Sequence, residues 1–138
     1  MRVVADTNIV VSSFLWRGNP RLVLEAARAG FIDLYTSGLL LEELEDVLSC
    51  EKFAVRLQAA GVRAHELVLG YGALAKVIEH ATLDPVVHAD PDDDAVIACA
   101  LSSQSEIIVS GDSHLLDLKR YENIPILTAA ELIKEISK

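Results

Sequence analysis

The chain has 138 residues, 51% hydrophobic and 24% charged, a balance that fits one compact domain over residues 1–138 and excludes a disordered or collagen-like polymer. Lys plus Arg number 12 against 21 Asp plus Glu, for a formal charge of -9, which disfavours nucleic-acid binding through a broad basic surface. Dispersed acids only solubilise a protein, whereas clustered ones must be solvated, protonated or metal-bound, so their placement is the question the sequence poses.

Arg2 to Ala5 is a short valine-rich run that stops at Asp6-Thr7-Asn8, residues suited to turns and helix caps, and it predicts a buried strand. Asn19-Pro20, apolar Leu22, Val23, Ala26 and Ala27, and then Gly30 predict a helix with a proline in its first turn and a glycine stop. Ile32 to Thr36 predicts a second strand. Ser37 then caps a helix with Leu40, Leu41, Leu44, Val47 and Leu48 on one face. Phe53 to Ile78 reads as two helices interrupted by Gly61, Gly70 and Gly72. Ala95 to Leu101 predicts a mostly apolar helix after an aspartate-rich turn, and Glu106 to Val109 a strand ended by Ser110-Gly111-Asp112. A short helix follows from Ser113 to Leu118. Ile124 to Leu127 predicts a last strand, at a sheet edge because of Pro125, and Thr128-Ala129-Ala130-Glu131 a capping box that opens a terminal helix.

Strands alternating with helices predict a mostly parallel sheet with helices on both faces, and such sheets bind ligands outside the carboxyl ends of their strands. Asp6 and Asp112 both fall at that edge. Cys50 and Cys99 belong to no Cys-x-x-Cys pair, so a disulfide framework or zinc ribbon has no support and a reducing cytosol fits. The first charges come too early for a signal-peptide core, and no apolar run approaches a membrane span, so a soluble cytoplasmic protein is expected.

Taken alone, Asp6 and Asp112 fit ordinary helix caps. On the helix after Ser37, Glu42 and Asp46 point away from the apolar face, while Glu43 and Glu45 border it, and Glu43 could turn toward the sheet edge. Asp90-Pro91-Asp92-Asp93-Asp94 is the densest acidic patch. One or two of its aspartates can cap the following helix, but four exceed that need. Asp94 precedes Ile97 and Ala98 by one turn and is the member expected to face the strands. Asp6, Glu43, Asp94 and Asp112 thus supply one acid from each of four separated segments. Repulsion between them would be relieved by a cation, and an all-oxygen donor set favours magnesium or manganese over zinc. The histidines, His65, His80, His88 and His114, show no ligand spacing.

The set Ala5-Asp6-Thr7-Asn8, Ser37 with Glu43-Leu44, Asp90-Pro91-Asp92-Asp93-Asp94 with Ala98 and Ala100, and Ser110-Gly111-Asp112 with Leu115-Leu116 resembles the PIN domain family. That family includes the toxin ribonucleases of bacterial and archaeal toxin–antitoxin pairs, and the likeness runs from Val3 to the terminal helix. The resemblance implies a three-layer α/β/α sandwich with a central, mostly parallel sheet, and an endoribonuclease dependent on Mg2+ or Mn2+ acting on single-stranded RNA. It places catalytic metal ligands at Asp6, Glu43, Asp94 and Asp112, with Asn8 and Ser110 in support and Asp93 as the alternative to Asp94. It further implies a 5′-phosphate product, a small antitoxin partner and possible homodimerisation. Arg17, Arg21, Lys119 and Arg120, near the two strand-end turns, are candidates for gripping RNA and equally fit ordinary surface charge.

A haloacid-dehalogenase-type phosphatase needs an aspartate two places after Asp6, where Asn8 stands, and a phosphate receiver wants a basic residue where Ser110-Gly111-Asp112 stands. The remaining rival is a non-catalytic PIN-fold domain that binds RNA or protein. Setting aside Asp6, Glu43, Asp90, Asp92, Asp93, Asp94 and Asp112 leaves 14 acids against 12 bases, so the acidity is mostly local and does not exclude an RNA substrate.

Overall fold

The computed structural model describes the backbone of residues 1–79 and 91–138, and the side chains of all of these except 91–93. Strand β1 (Arg2–Ala5) leads into helices α1 (Thr7–Leu15) and α2 (Asn19–Arg28). Strand β2 (Asp33–Ser37) is followed by α3 (Gly38–Leu48), α4 (Glu51–Ala60) and α5 (Ala64–Leu74), and then by strand β3 (Lys76–Ile78). After α6 (Pro91–Ser103) come β4 (Ile107–Val109), α7 (Ser113–Leu118), β5 (Arg120–Tyr121), β6 (Ile124–Leu127) and α8 (Ala129–Ile136).

The six strands form one sheet in the order β3-β2-β1-β4-β6-β5, parallel throughout except for the β5–β6 pair. Val3, Val4 and Ala5 of β1 are all buried because the sheet is covered on both faces, which is why this strand reads as a continuous apolar run. Alternation along the strand divides them. Val3 and Ala5 join Leu34, Ile107 and Val109 under α1, α2, α3, α5 and α8, whereas Val4 joins Ile108 and Ile126 under α6 and α7. The fold is the expected α/β/α sandwich.

Several local expectations hold. Ser37 caps α3 by accepting the Leu40 N–H at 3.3 Å. Thr128 and Glu131 form the reciprocal capping box, with bonds of 3.1 and 3.0 Å. Gly61 ends α4 in the left-handed conformation at φ +71°, where a side chain would be strained.

Others are corrected. Residues 7–15 form a helix that the sequence pattern does not announce, because Ile9, Val10 and Val11 are strand-prone and α1 is buried nearly all round, erasing any amphipathic stripe. The second helix of the 53–78 stretch ends at Leu74, and Lys76–Ile78 is strand β3, while Gly70 and Gly72 lie inside α5 rather than breaking it. Strand β6 is not at the edge: it pairs with β4 from Ile126 onward, and Arg120 and Tyr121 cover Pro125 and Ile124 from the other side.

Candidate active site

The topology selects a place before any side chain is considered. From β1 the chain builds outward to β2 and β3 on one side, and β4 starts the other side, so the order of strands reverses between β1 and β4. At such a switch point the loops leave in opposite directions and open a crevice at the strands' carboxyl ends. Ala5 is in register with Val109, which brings the next residues, Asp6 and Ser110, to the mouth of that crevice.

Asp6 is fixed from several directions. Its N–H donates to the Val109 carbonyl at 3.0 Å, extending the β1–β4 ladder by one residue. Its backbone is extended and it caps α1, with Oδ1 accepting the Ile9 N–H at 3.0 Å and Oδ2 accepting the Ser110 hydroxyl. The residue is only 4% exposed. Burial raises its carboxyl above the ordinary carboxylate range and the neighbouring charge of Asp112 adds to this, while the bonds from Ser110, Ile9 and the Gly111 N–H pull the other way.

Ser110 is fully buried and is held by its own N–H, which donates to the Leu127 carbonyl at 2.9 Å. Besides donating to Asp6, its Oγ accepts the Asp112 N–H at 2.9 Å. Asp112 is half-buried and caps α7, Oδ1 accepting the His114 N–H at 2.7 Å. Two carboxylates and a hydroxyl therefore converge across β1 and β4, and among the described residues neither Asp6 nor Asp112 has a basic partner. Such a group fits a hard cation, since its donors are all oxygen and its charge is uncompensated among the described residues.

Glu43 and Asp94 approach from the next elements. Helix α3 follows β2 directly, and Glu43 lies half-buried on it. Together with Leu39, Glu42, Asp46, Val47, Cys50 and Ala95 it lines a groove of about 510 Å3, so α3 and the start of α6 face one another there. Asp94, half-buried in the first turn of α6, immediately precedes Ala95. The structure thus brings Asp6, Ser110 and Asp112 together, and separately sets Glu43 beside the residue that follows Asp94. Among the described residues no three His, Cys, Asp or Glu side chains are close enough to hold one ion. The Asp93 side chain, like Asp90, Asp92, His80 and His88, lies outside the described residues. Asn8 is exposed in the first turn of α1, two residues beyond Asp6.

Of the four candidate RNA-gripping cations, Arg21 is engaged by the fold: its guanidinium donates to the carbonyls of Ser13 and Phe14 at 3.4 and 3.2 Å. Arg17, Lys119 and Arg120 are exposed. His65 pairs with Glu45 at 2.7 Å. Tyr71 is the residue that the sequence reading overlooks. Its hydroxyl is buried without a hydrogen-bond partner among the described residues, and burial, with smaller contributions from Cys99 and Asp6, pushes its ionisation upward. Only its position between Gly70 and Gly72 marks it in the sequence, and that signals nothing chemical.

The comparisons agree with this architecture. Comparison with curated protein sequences finds no match. The chain is similar in structure to a chain in the crystal structure of VapBC2 from Rickettsia felis bound to a DNA fragment from their promoter, with a TM-score of 0.60 and 15% identity over 91% of this chain and 97% of that one. At that identity the likeness speaks for the fold. The family model described as PIN domain matches residues 2–114, which takes in β1 with Asp6, α3 with Glu43, the start of α6 with Asp94, and β4 with Ser110 and Asp112. By that match over most of its length, the chain belongs to the PIN domain family.

Proposed function

We propose that this protein is an endoribonuclease, dependent on Mg2+ or Mn2+, that hydrolyses phosphodiester bonds in single-stranded RNA, and that it acts in the cytoplasm as the toxin of a toxin–antitoxin pair. The observation that carries this reading is the pairing of Asp6 and Asp112 around the Ser110 hydroxyl at the β1–β4 switch point, with no basic residue to neutralise them among the described residues. A purely structural pair of caps would not need one carboxylate buried against the repulsion of another.

Asp6 and Asp112 would hold the ion at the strand ends, and Glu43 and Asp94, with Asp93 as the alternative to Asp94, would join them by closing in from the groove between α3 and α6 when the ion binds. The chemistry supplied by a bound hard divalent cation is activation of water and neutralisation of charge on the phosphate oxygens. The protein's own part is positional. The Ile9 N–H and the Ser110 hydroxyl fix the two oxygens of Asp6, and the His114 N–H fixes Oδ1 of Asp112, so neither carboxylate has to reorganise when substrate arrives. Asn8, exposed in the first turn of α1, would support the acids by hydrogen-bonding a phosphate or a water.

The antitoxin part of the reading is supported by the likeness to a VapBC2 chain, whose own structure is a complex with promoter DNA. No described helix is long and apolar enough to cross a membrane. A small antitoxin would be the partner, and a homodimer is compatible with the fold.

The test is cleavage of single-stranded RNA by the purified protein with Mg2+, with Mn2+ and in excess chelator. Cleavage only with metal, abolished in Asp6→Asn and in Asp112→Asn with the fold intact by circular dichroism, is the expected result. Variants that cleave as well as the parent sink the site assignment. A protein that binds RNA and never cleaves it would instead be a non-catalytic PIN-fold binder.

A further inference from the structure

We infer that the far end of α1 carries a landing site for the RNA strand that flanks the scissile bond, in which a base stacks at Trp16 and its phosphates are met by Arg17, Lys52 and Arg56. The inference takes its ligand from the nuclease reading above and adds a second contact region to it.

Helix α1 is almost wholly enclosed: Ile9, Val10, Val11, Ser13 and Leu15 are buried. Apart from the half-buried Phe14, what remains open is a row spaced four residues apart, Asn8 exposed, Ser12 half-buried and then Trp16, 41% exposed, directly after the last turn. This row starts two residues beyond Asp6 and ends at Trp16 about 12 Å further on, eight residues along the helix at 1.5 Å each. A single strand held at the acids can follow it.

At the end of the row the surroundings change sign. The Trp16 ring is steadied edge-on by Phe53, with centroids 5.9 Å apart, and the Arg56 guanidinium carbon lies 4.8 Å from the Trp16 ring centroid. Arg56 Nε donates to the Leu15 carbonyl at 2.7 Å, which fixes the plane of the guanidinium, and its other N–H groups have no acceptor among the described residues. Lys52 Nζ stands 5.0 Å from the Phe53 ring centroid, and Arg17, exposed, follows Trp16 in the chain. Helix α4 supplies Lys52 and Arg56 against a single acid, Glu51.

In a chain of charge -9 this is a local concentration of cations on an aromatic surface. An exposed indole with guanidinium and ammonium groups beside it matches a single-stranded nucleic acid, because every base offers a π-face and every linkage an anion. An acidic peptide would satisfy the cations and leave the indole unused. The arrangement also resolves how so acidic a protein could retain RNA: the acids gather at one end of α1 and the cations at the other.

Trp16 is the sole tryptophan, so fluorescence excited where tyrosine does not absorb reports on this site alone. The experiment titrates the full chain, in chelator to prevent cleavage, with a short oligouridylate, following tryptophan fluorescence and the anisotropy of labelled RNA. Saturable quenching that weakens with salt is expected, with Lys52→Glu and Arg17→Glu each lowering affinity about tenfold and flattening the salt dependence. Trp16→Leu should lower affinity about tenfold by anisotropy. RNA binding without quenching, or charge-reversal variants that bind like the parent, overturns the inference, and so does oligoglutamate quenching as strongly as RNA. Both charge-reversal sites are exposed, so those variants test the site even if Trp16→Leu fails to fold. RNA that quenches Trp16 but is not cleaved with Mn2+ supports the landing site while removing the nuclease reading. RNA that is cleaved while the charge-reversal variants retain parental affinity does the reverse.

Discussion

The Asp6 carboxylate and the Asp112 backbone N–H meet on one atom, the Ser110 hydroxyl oxygen, which donates to the first and accepts from the second at 2.9 Å. One buried serine thereby ties the end of β1 to the turn after β4 and sets the spacing of two like charges. Because both halves of the bridge use the same oxygen, its removal is felt at both aspartates.

Ser110→Ala should leave an Asp6 oxygen and the Asp112 N–H without their shared partner. A buried polar group stripped of its hydrogen bond costs about 1–3 kcal/mol, and loss of an orienting contact behind a metal ligand typically weakens metal binding by about 10–100-fold. Urea unfolding of the metal-free protein and Mn2+ titration by calorimetry measure the two effects separately. Parental Mn2+ affinity in this variant would show that Ser110 does not organise the site.

Asp6→Asn should stabilise the metal-free protein. Burial raises the folded-state carboxyl above its ordinary value of 3.8, so the folded state holds the proton more tightly than the unfolded one and stability falls as pH rises through that window. At neutral pH the ionised Asp6 is therefore a cost, which asparagine removes while its side-chain oxygen can still accept the Ile9 N–H. A rise in Tm of about 2–4 °C at pH 7 is expected, shrinking toward acid pH. Mn2+ should raise the Tm of the parent and not of the variant. A variant that melts below the parent in chelator contradicts this.

Legibility in the sequence follows from whether the signal is local. The cap at Ser37 and the box at Thr128 and Glu131 each satisfy backbone groups within a few residues, so spacing alone revealed them. Asp6 and Asp112 are legible together because strand ends of a parallel sheet share one rim, a rule of topology that needs no coordinates, whereas Ser110 enters only through the resemblance to the PIN family. Helix α1 escaped because its burial comes from neighbours distant in sequence, so Ile9, Val10 and Val11 show strand propensity with no helical stripe. Arg21 reads in the sequence as a candidate for gripping RNA or an ordinary surface charge for the same reason: its acceptors, the carbonyls of Ser13 and Phe14, become orphans only because α1 ends at Leu15.

Arg21 and Arg56 close the C-terminal end of α1 from two different helices, donating to the carbonyls of Ser13, Phe14 and Leu15, while the Asp6 carboxylate closes its N-terminal end. Both charges have the sign that the helix dipole favours. Arg21→Met, which keeps much of the aliphatic stem, should cost about 1 kcal/mol, discounted for partial exposure. A lowered urea midpoint with unchanged slope checks this. An unchanged midpoint would mean that water replaces the guanidinium at no cost.

Glu131 gives a prediction of the opposite sign to Asp6. Its bonds with Thr128, backbone first, lower its carboxyl below the ordinary 4.5. The stabilisation is therefore fully present above pH 4.5 and is lost as pH falls through the lowered folded-state value. Glu131→Gln can keep an acceptor for the Thr128 N–H but cannot titrate. Its Tm should fall below the parent's at neutral pH and converge with it in acid. A constant gap across the range would exclude the charge as the cause.

Tyr71 tests whether a buried polar atom near the site is an accident of packing or part of a hydrogen-bonded chain. Its ring is useful to the fold, meeting Phe14 edge-on at 6.1 Å within the layer under α1 and α5. Its hydroxyl has no protein partner among the described residues. Tyr71 also lines a cavity of about 10 Å3 with Ser13, Ile9 and Val10, at the lower limit of space for one water. Two outcomes follow for Tyr71→Phe. If the hydroxyl is unsolvated, its removal deletes a desolvation penalty, and the variant should be more stable by up to about 1 kcal/mol. If a water occupies the cavity and bonds the hydroxyl, the variant should lose about the same amount. The apolar lining supplied by Ala5, Val23, Leu24 and Leu34 leaves such a water few partners, so the first outcome is expected. Urea unfolding of parent and variant decides between them, and a destabilised variant would place an ordered water behind α1, within electrostatic reach of Asp6.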